Sequence, residues 1–510
     1  MGSIKAVIEI GSTGIRMLVA ELTDDKKRNI LDRSEFPANI GRDVFTSRYI
    51  SRDTMLNAMR ILNRFGEQLS SWGLTRDETL VLGTSAVREA LNRDPFVDRI
   101  KVKTGFTVRV IDGIEENRLM YIAVTECLKE ESFPVRQSNS IILDISGGET
   151  EMMLMENGSI VGAHSLRLGT VIIGQQVNSM TGNTDDELRF VAEFINNARV
   201  MLNEEMSLDN VQQFIALGRD MQIAAIVAGG KPISTFLWEV DRDKFDAFVD
   251  EIENYSEEEC VARFKVSHAD AKTFRISLLT YRQFISLTKV RTIVVPETSI
   301  REGALIAGAG EGDGGLKKEF SGQIVASART LLRKYKGDEK HAEFVRSVSV
   351  RIFDEMSAEL GLDAHERMLL EVSALLHDIG MFIRAEDHNI HSCYIIRHSE
   401  IFGLSAEEMN LVALIALYHK GKASPQNAAE VKMLPRASRL TILKLCSILR
   451  VADSFDRSHR QRLGNFSISF SRDSITFRIK GHNHMGLERL ALQEKADLFE
   501  DVFGYKVVLV

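Results

Sequence analysis

The chain has 510 residues, enough for three or four domains that each bury a core. A formal net charge of −8 argues against a dedicated nucleic-acid binder, although a local basic cleft could still receive a polyanion. No apolar run reaches membrane-spanning length, and residues 1–22 read as strand pattern rather than signal peptide, so a soluble, cytoplasmic protein without a membrane partner is expected.

In chain order, Ile4 to about Arg33 reads as a strand, a turn at Gly11–Gly14, a returning strand and a polar turn at Asp24–Arg28. Met55, Met59, Leu62 and Phe65 fall at helical spacing and predict an amphipathic helix over Thr54–Trp72. Thr79–Leu82 is a short strand that runs into a small-residue turn and a helix whose first turn carries Arg88, a geometry that can bring a guanidinium to an oxyanion. After a strand at Thr107–Ile111, Glu115 and Glu116 open a helix. Such a pair either complements the helix dipole at the surface or supplies a general base that deprotonates a water for in-line attack, and spacing leaves both open.

Ile141–Glu156 is the most informative stretch: a strand ending in Asp144, a turn through Ser146, Gly147 and Gly148, and a strand returning from Thr150. Glycines let backbone N–H groups converge on an anion, and a carboxylate at the strand end can hold a metal beside it. Setting Glu9 against Asp144 aligns the N-terminal hairpin with this one without a gap, which predicts duplicated halves facing a cleft. Further on, Ser159–Leu168, Phe214–Gly218 and Thr292–Val295 read as strands, and Thr184–Met201 and Phe274–Leu287 as helices.

The segments EIGSTGIRMLVAEL, GTSAVREA, GIEENRLMY, DISGGETEMML and SIREGAL, in this order over about residues 4–306, resemble the exopolyphosphatase and guanosine pentaphosphate phosphatase (Ppx/GppA) family. The resemblance implies duplicated actin-like, ribonuclease H-like α/β ATPase domains over 1–130 and 131–310. It implies Glu116 as general base, Asp144 and Glu151 as the acids associated with magnesium-bound phosphate, and Arg88, Gly11, Ser12, Gly147 and Gly148 as phosphate-side residues. The implied reaction is Mg²⁺-assisted hydrolysis of a terminal phosphoanhydride of polyphosphate or of a guanosine polyphosphate nucleotide. Homodimerisation is common in that family, and the sequence does not decide it.

Several positions depart from the family pattern. Glu9 stands where Asp is usual, Thr13-Gly14 replaces Asn-Ser, the second loop reads Ser146-Gly147-Gly148-Glu149, and the third reads Gly218-Arg219-Asp220. Glu149 and Asp220 add negative charge near a polyanion, so the first site is expected to be slow, retuned or a sensor.

Beyond an acidic, glycine-rich linker at Glu311–Leu316 the pattern turns helical. A lone histidine at a helix end is as a rule structural. Here His341, His377-Asp378, His391, His419 and Asp453 each open or close an apolar helix, and the order resembles the HD-domain metal phosphohydrolases. That resemblance implies an all-α HD domain over 317–463 with those six residues as ligands for Mn²⁺, Fe or Zn²⁺. Residues 464–510 read as a small α+β domain without chemistry, with His482 and His484 in an exposed loop, and Cys127, Cys260, Cys393 and Cys446 read as buried free thiols. Three activities compete: hydrolysis in the first cleft, hydrolysis of a nucleotide or phosphoester at the HD site, and sensing without turnover. A sugar kinase fits less well, because Glu116 and the HD appendage match phosphatases.

Overall fold

The computed structural model describes residues 3–22, 28–130, 138–179, 184–266, 268–309, 314–357, 361–420, 424–461, 466–479 and 485–510. The predicted turn at 24–27, residues 311–313 of the predicted linker, and His482 and His484 lie outside them; Gly314 to Leu316 are helical rather than linker, opening a helix Gly314–Lys334. The chain forms two compact units, Met1–Lys317 and Lys318–Val510.

The first unit contains two sheets. The first has β1 (Ser3–Ile10), β2 (Gly14–Leu22), β3 (Arg28–Pro37), β4 (Leu80–Gly83) and β5 (Val108–Val110) in the order β3-β2-β1-β4-β5. The second contains β6 (Ser140–Ile145), β7 (Thr150–Glu156), β8 (Ser159–Leu166), β9 (Gln213–Ala216), β10 (Lys231–Pro232), β11 (Leu237–Asp241) and β12 (Thr292–Pro296), ordered β10-β11-β12-β9-β6-β7-β8. Each sheet opens with three antiparallel strands and continues through two parallel neighbours, so β8-β7-β6-β9-β12 repeats β3-β2-β1-β4-β5 and β10 and β11 are additions at one edge. Ile141, Ile142 and Leu143 are all buried, as strands covered on both faces are, whereas alternation would leave one face to water.

The repeat extends to hydrogen bonds. Gly11 N–H donates to the Gly14 carbonyl at 3.0 Å, and Ser146 N–H donates to the Glu149 carbonyl at 2.9 Å. Gly41 N–H reaches the Ser12 carbonyl and Val171 N–H the Gly147 carbonyl, at 2.8 and 2.9 Å, so each hairpin turn is tied to the helix that follows its sheet's third strand. Glu9 pairs with Arg16 across the first hairpin, and Asp144 with Glu151 across the second. A strand-end acid thus occurs at the same register in both halves.

The helix predicted over Thr54–Trp72 spans Arg52–Ser71, with Ser51 accepting from Thr54 N–H at its start and Met55, Met59, Leu62 and Phe65 buried. The Glu115–Glu116 pair lies in the first turn of helix Gly113–Glu130, which begins earlier than the apolar run alone suggests. That helix packs closely on helix Ile300–Ala309 at Gly303, where an added Cβ would collide with the Leu119 carbonyl. Backbone cannot yield as a side-chain tip does. Gly303→Ala should therefore lower unfolding free energy by about 1–3 kcal/mol, read from the denaturant midpoint, and disturb the position of Glu116; an unchanged midpoint would mean that the two helices separate freely.

In the second unit, helices Glu339–Glu355, Ala364–Leu376, His388–Arg397, Ala406–Leu417 and Arg436–Ser454 enclose one apolar core. β13 (Phe466–Phe470), β14 (Ser474–Ile479) and β15 (Lys506–Leu509) form a sheet in that order, accompanied by helices Gly486–Lys495 and Asp497–Phe503. Phe466, Ile475, Phe477 and Phe499 belong to the same core as the helices, and the Phe455 and Phe477 rings meet edge to face at 4.8 Å. The C-terminal segment is therefore built onto the helices rather than hung beside them. All four cysteines are free and buried.

Candidate functional sites

In the first unit, Glu9, Ser12, Glu116, Asp144, Gly147 and Gly218 line one cavity of about 600 Å³. A Cβ on Gly147 would lie 2.8 Å from Ser12 Cβ, so glycine is needed where the two hairpin turns meet. Gly218, at φ +88°, caps helix Arg219–Val227 beside Asp144. Tyr281, which sequence reasoning missed, donates its hydroxyl to the Leu217 carbonyl at 2.7 Å and accepts from Ile145 N–H at 3.1 Å, tying the strand end that carries Asp144 to the loop opposite. A lone tyrosine in an apolar helix gives no sequence signal for this.

Arg88 lies between two carboxylates. One guanidinium nitrogen donates to Glu116 at 2.7 Å and to the Ile111 carbonyl at 2.8 Å, and another donates to Glu149 at 2.6 Å. The residue expected to meet phosphate is thus held by Glu149, one of the departures from the family pattern. Burial pushes the Glu116 carboxyl up to about 7; Arg88 opposes this, and Glu149 and Glu9 add to it. Asp144 is raised to about 6, by burial and by Glu9 against Arg16 and Arg301.

The extra methylene of Glu9 is accommodated between Arg16 at 3.5 Å and Arg301 at 3.4 Å. Arg219 pairs with Glu35 at 2.8 Å, and Glu35 also accepts from Arg16 at 2.7 Å. Glu151 shares its sheet face with Asp144 but lies outside the cavity lining. Its two oxygens accept from Asn117 at 2.6 Å and Ser165 at 2.7 Å, and burial together with Glu116 raises its pKa well above the usual range. The Asp144 carboxylate makes no hydrogen bond or ion pair with the described residues. A desolvated hard-oxygen donor without a directly paired cation suits a divalent cation such as Mg²⁺, and Asp144 meets that description better than Glu151.

In the second unit, four imidazoles converge on Asp378. Its Oδ1 lies 3.1 Å from His388 Nε2, 3.4 Å from His419 Nε2 and 3.5 Å from His377 Nε2, and its Oδ2 lies 3.8 Å from His341 Nε2. Behind them, Nδ1 of His377, His388 and His419 each meets the carbonyl three residues earlier, at 2.9, 2.9 and 2.6 Å, and Nδ1 of His341 meets Asp456 at 2.9 Å. With the proton on Nδ1, the Nε2 lone pairs face the carboxylate, the arrangement that orients histidines towards a metal. Burial holds His419 neutral, its pKa down to about 4. Asp453 closes the group, its Oδ1 lying 3.5 Å from His341 Nε2 and 3.7 Å from His377 Nε2. His341 is raised to about 10: burial opposes protonation, and Asp453 and Asp456 outweigh it by holding a proton where a cation would sit. Asp378 Oδ1 is buried without a well-formed hydrogen bond. The nitrogen and oxygen donors and this orphaned oxygen fit a transition-metal ion.

The structure brings together His341, His377, Asp378, His419 and Asp453 and leaves out His391. Helix His388–Arg397 starts a turn earlier than predicted, after Asp387 at φ +53°, so that His388 takes the place facing Asp378. His459 is a second missed residue, stacked on His341 at 3.9 Å and close enough to share a ligand group with His341 and Asp378. The C-terminal segment, read as free of chemistry, brings Lys495 onto Asp453. His388→Ala should lose metal affinity by more than the roughly 10–100-fold that removal of an orienting partner costs, while His391→Ala should keep its metal. Metal content after dialysis, measured by mass spectrometry, checks this, and the reverse pattern would reinstate His391.

The Ppx/GppA phosphatase family matches residues 18–310, and its domain III matches residues 325–500. Among similar proteins is a guanosine-5'-triphosphate,3'-diphosphate pyrophosphatase from Pseudoalteromonas atlantica, 22% identical over 459 residues that cover 88% of this chain and 86% of that protein. Another of the same name from Photobacterium profundum is 22% identical over 99% of this chain and 97% of its own length. The crystal structure of an exopolyphosphatase from Cytophaga hutchinsonii superimposes with a TM-score of 0.53 at 20% identity, covering 60% of this chain and 98% of that one, a likeness of fold.

Proposed function

This chain belongs to the Ppx/GppA phosphatase family, and on that premise we propose that it releases terminal phosphate from inorganic polyphosphate or guanosine pentaphosphate in the cleft of the first unit. The observation that carries this reading is Glu116: a half-buried carboxylate, its pKa pushed up to about 7 by desolvation, in the wall of the cavity that Asp144 and the glycine turns share. In the proposed step a water oxygen attacks the terminal phosphorus, its proton passes to Glu116, and the bond to the bridging oxygen breaks. That oxygen keeps the electron pair on the shortened chain. Mg²⁺, which Asp144 would hold, offsets phosphate charge when bound. Gly11, Ser12, Gly147 and Gly148 form the turns against which phosphate would lie, and Arg88 stands beside the base.

The base acts only when ionised. Because burial raises its pKa, kcat/KM should fall about tenfold per unit as pH drops below about 7 and level off above it. Glu116→Gln should lower kcat by roughly 10²–10⁴-fold and abolish that acid limb, with the fold intact. Phosphate release from long-chain polyphosphate across pH 5.5–8.5 tests both, and an unchanged rate in Glu116→Gln would overturn the assignment.

A second reading has an observation of its own, the convergence of four Nε2 atoms on Asp378. It supports an HD-type domain over 317–463 that binds Mn²⁺, Fe or Zn²⁺ and hydrolyses a nucleotide or other phosphoester, with 464–510 as its α+β companion.

A further inference from the structure

The imidazole and carboxylate group of the second unit forms part of the wall of a cavity of about 440 Å³. Lys495, the last residue of helix Gly486–Lys495, reaches this wall from the C-terminal segment and is only 9% exposed. Its ammonium is ion-paired with Asp453 Oδ2, while Asp453 Oδ1 faces His341 and His377. An ammonium carries three donors, and Asp453 is the one acceptor that Lys495 meets among the described residues. Two N–H groups of a nearly buried cation therefore remain for something in the cavity.

Two more fixed cations line the same wall. Lys420 follows helix Ala406–Leu417 and Arg457 follows helix Arg436–Ser454, and neither has a carboxylate partner among the described residues. Apart from Asp378 and Asp453, the acid of the lining is Glu494. With Asp378 and Asp453 turned to the histidines, an added anion would offset the remaining repulsion among these three cations. The cavity is of the size that holds a small molecule.

We propose that this cavity is an anion site completed by the C-terminal segment, in which Lys495, Lys420 and Arg457 receive the phosphate group of a small phosphomonoester, or free orthophosphate, beside the histidine and aspartate centre. The proposal rests on the second reading above, that the centre binds a metal. Lys495 serves two neighbours: one N–H fixes Asp453 and the others meet phosphoryl oxygens. The segment 464–510 thereby becomes part of the site.

The test uses the full chain loaded with Mn²⁺ and follows ³¹P relaxation of inorganic phosphate and, separately, of p-nitrophenyl phosphate, with metal content measured in parallel. The portion of metal and of relaxation that disappears in His377→Ala reports the second centre. Lys495→Met should weaken phosphate affinity at that centre about tenfold or more while metal remains bound, and Lys495→Arg should restore most of it. Arg457→Ala and Lys420→Ala, changes at exposed positions, should each weaken it several-fold. Saturable relaxation of p-nitrophenyl phosphate as well as phosphate would assign the site to esters; a response to phosphate alone would assign it to orthophosphate. If His377→Ala removes no metal, the metal-centre reading falls and takes this inference with it. If it removes metal but phosphate binds equally well to wild type and Lys495→Met, or not at all at millimolar concentration, the inference alone is overturned.

Discussion

Arg88 holds two half-buried carboxylates at once, and the first cleft depends on that arrangement. Carboxylates taken out of water must be paired, protonated or given a metal. Glu116 and Glu149 share one guanidinium, Glu9 lies between Arg16 and Arg301, and Glu35 lies between Arg16 and Arg219. Asp144 and Glu151 lie outside these pairings. Glu151 is satisfied by neutral donors, and Asp144 makes no direct ion pair among the described residues, which is what the proposed cation would supply. Desolvation, which Arg88 offsets only in part, raises the pKa of Glu116 to the range in which a carboxylate works as a base near neutral pH. Glu149 engages Arg88 on the side away from Glu116, so on the proposed reading Arg88 would exchange Glu149 for phosphate.

The second unit meets the same electrostatic demand with imidazole. Backbone carbonyls fix Nδ1 of three histidines and Asp456 fixes the fourth, so that four Nε2 atoms face one aspartate. For His377 and His419 this orientation is set by helix geometry, the carbonyl lying three residues back along the helix that each one ends, and for His388 by the loop that leads into its helix. The tail adds Lys495, whose charge is stable in a nearly buried place because Asp453 is there to receive it.

Much of the first cleft was legible in the sequence because its parts are local. A strand period, a small-residue turn and a strand-end acid lie within sixteen residues, and their recurrence around Glu9 and Asp144 reappears as the same hairpin register in both sheets. What the sequence hid was of three kinds. The partners of Arg88 come from segments 28 and 61 residues away. The exchange of His388 for His391 turns on a left-handed Asp387, a conformation that composition does not announce for a non-glycine residue. Lys495 reaches Asp453 only because the C-terminal segment shares the core of the helices, which no periodicity within that segment reveals.

The central claim is that terminal phosphate leaves in the first cleft, independently of the histidine centre. The most direct measurement is phosphate release from long-chain polyphosphate and from guanosine pentaphosphate by the full chain carrying His377→Ala and Asp378→Ala together, with Mg²⁺ supplied. The account predicts a rate within about twofold of wild type, since the altered residues belong to the other unit and lie outside the cavity that holds Glu116. Complete loss of release, with the variant still folded, would contradict it and move the chemistry to the second unit.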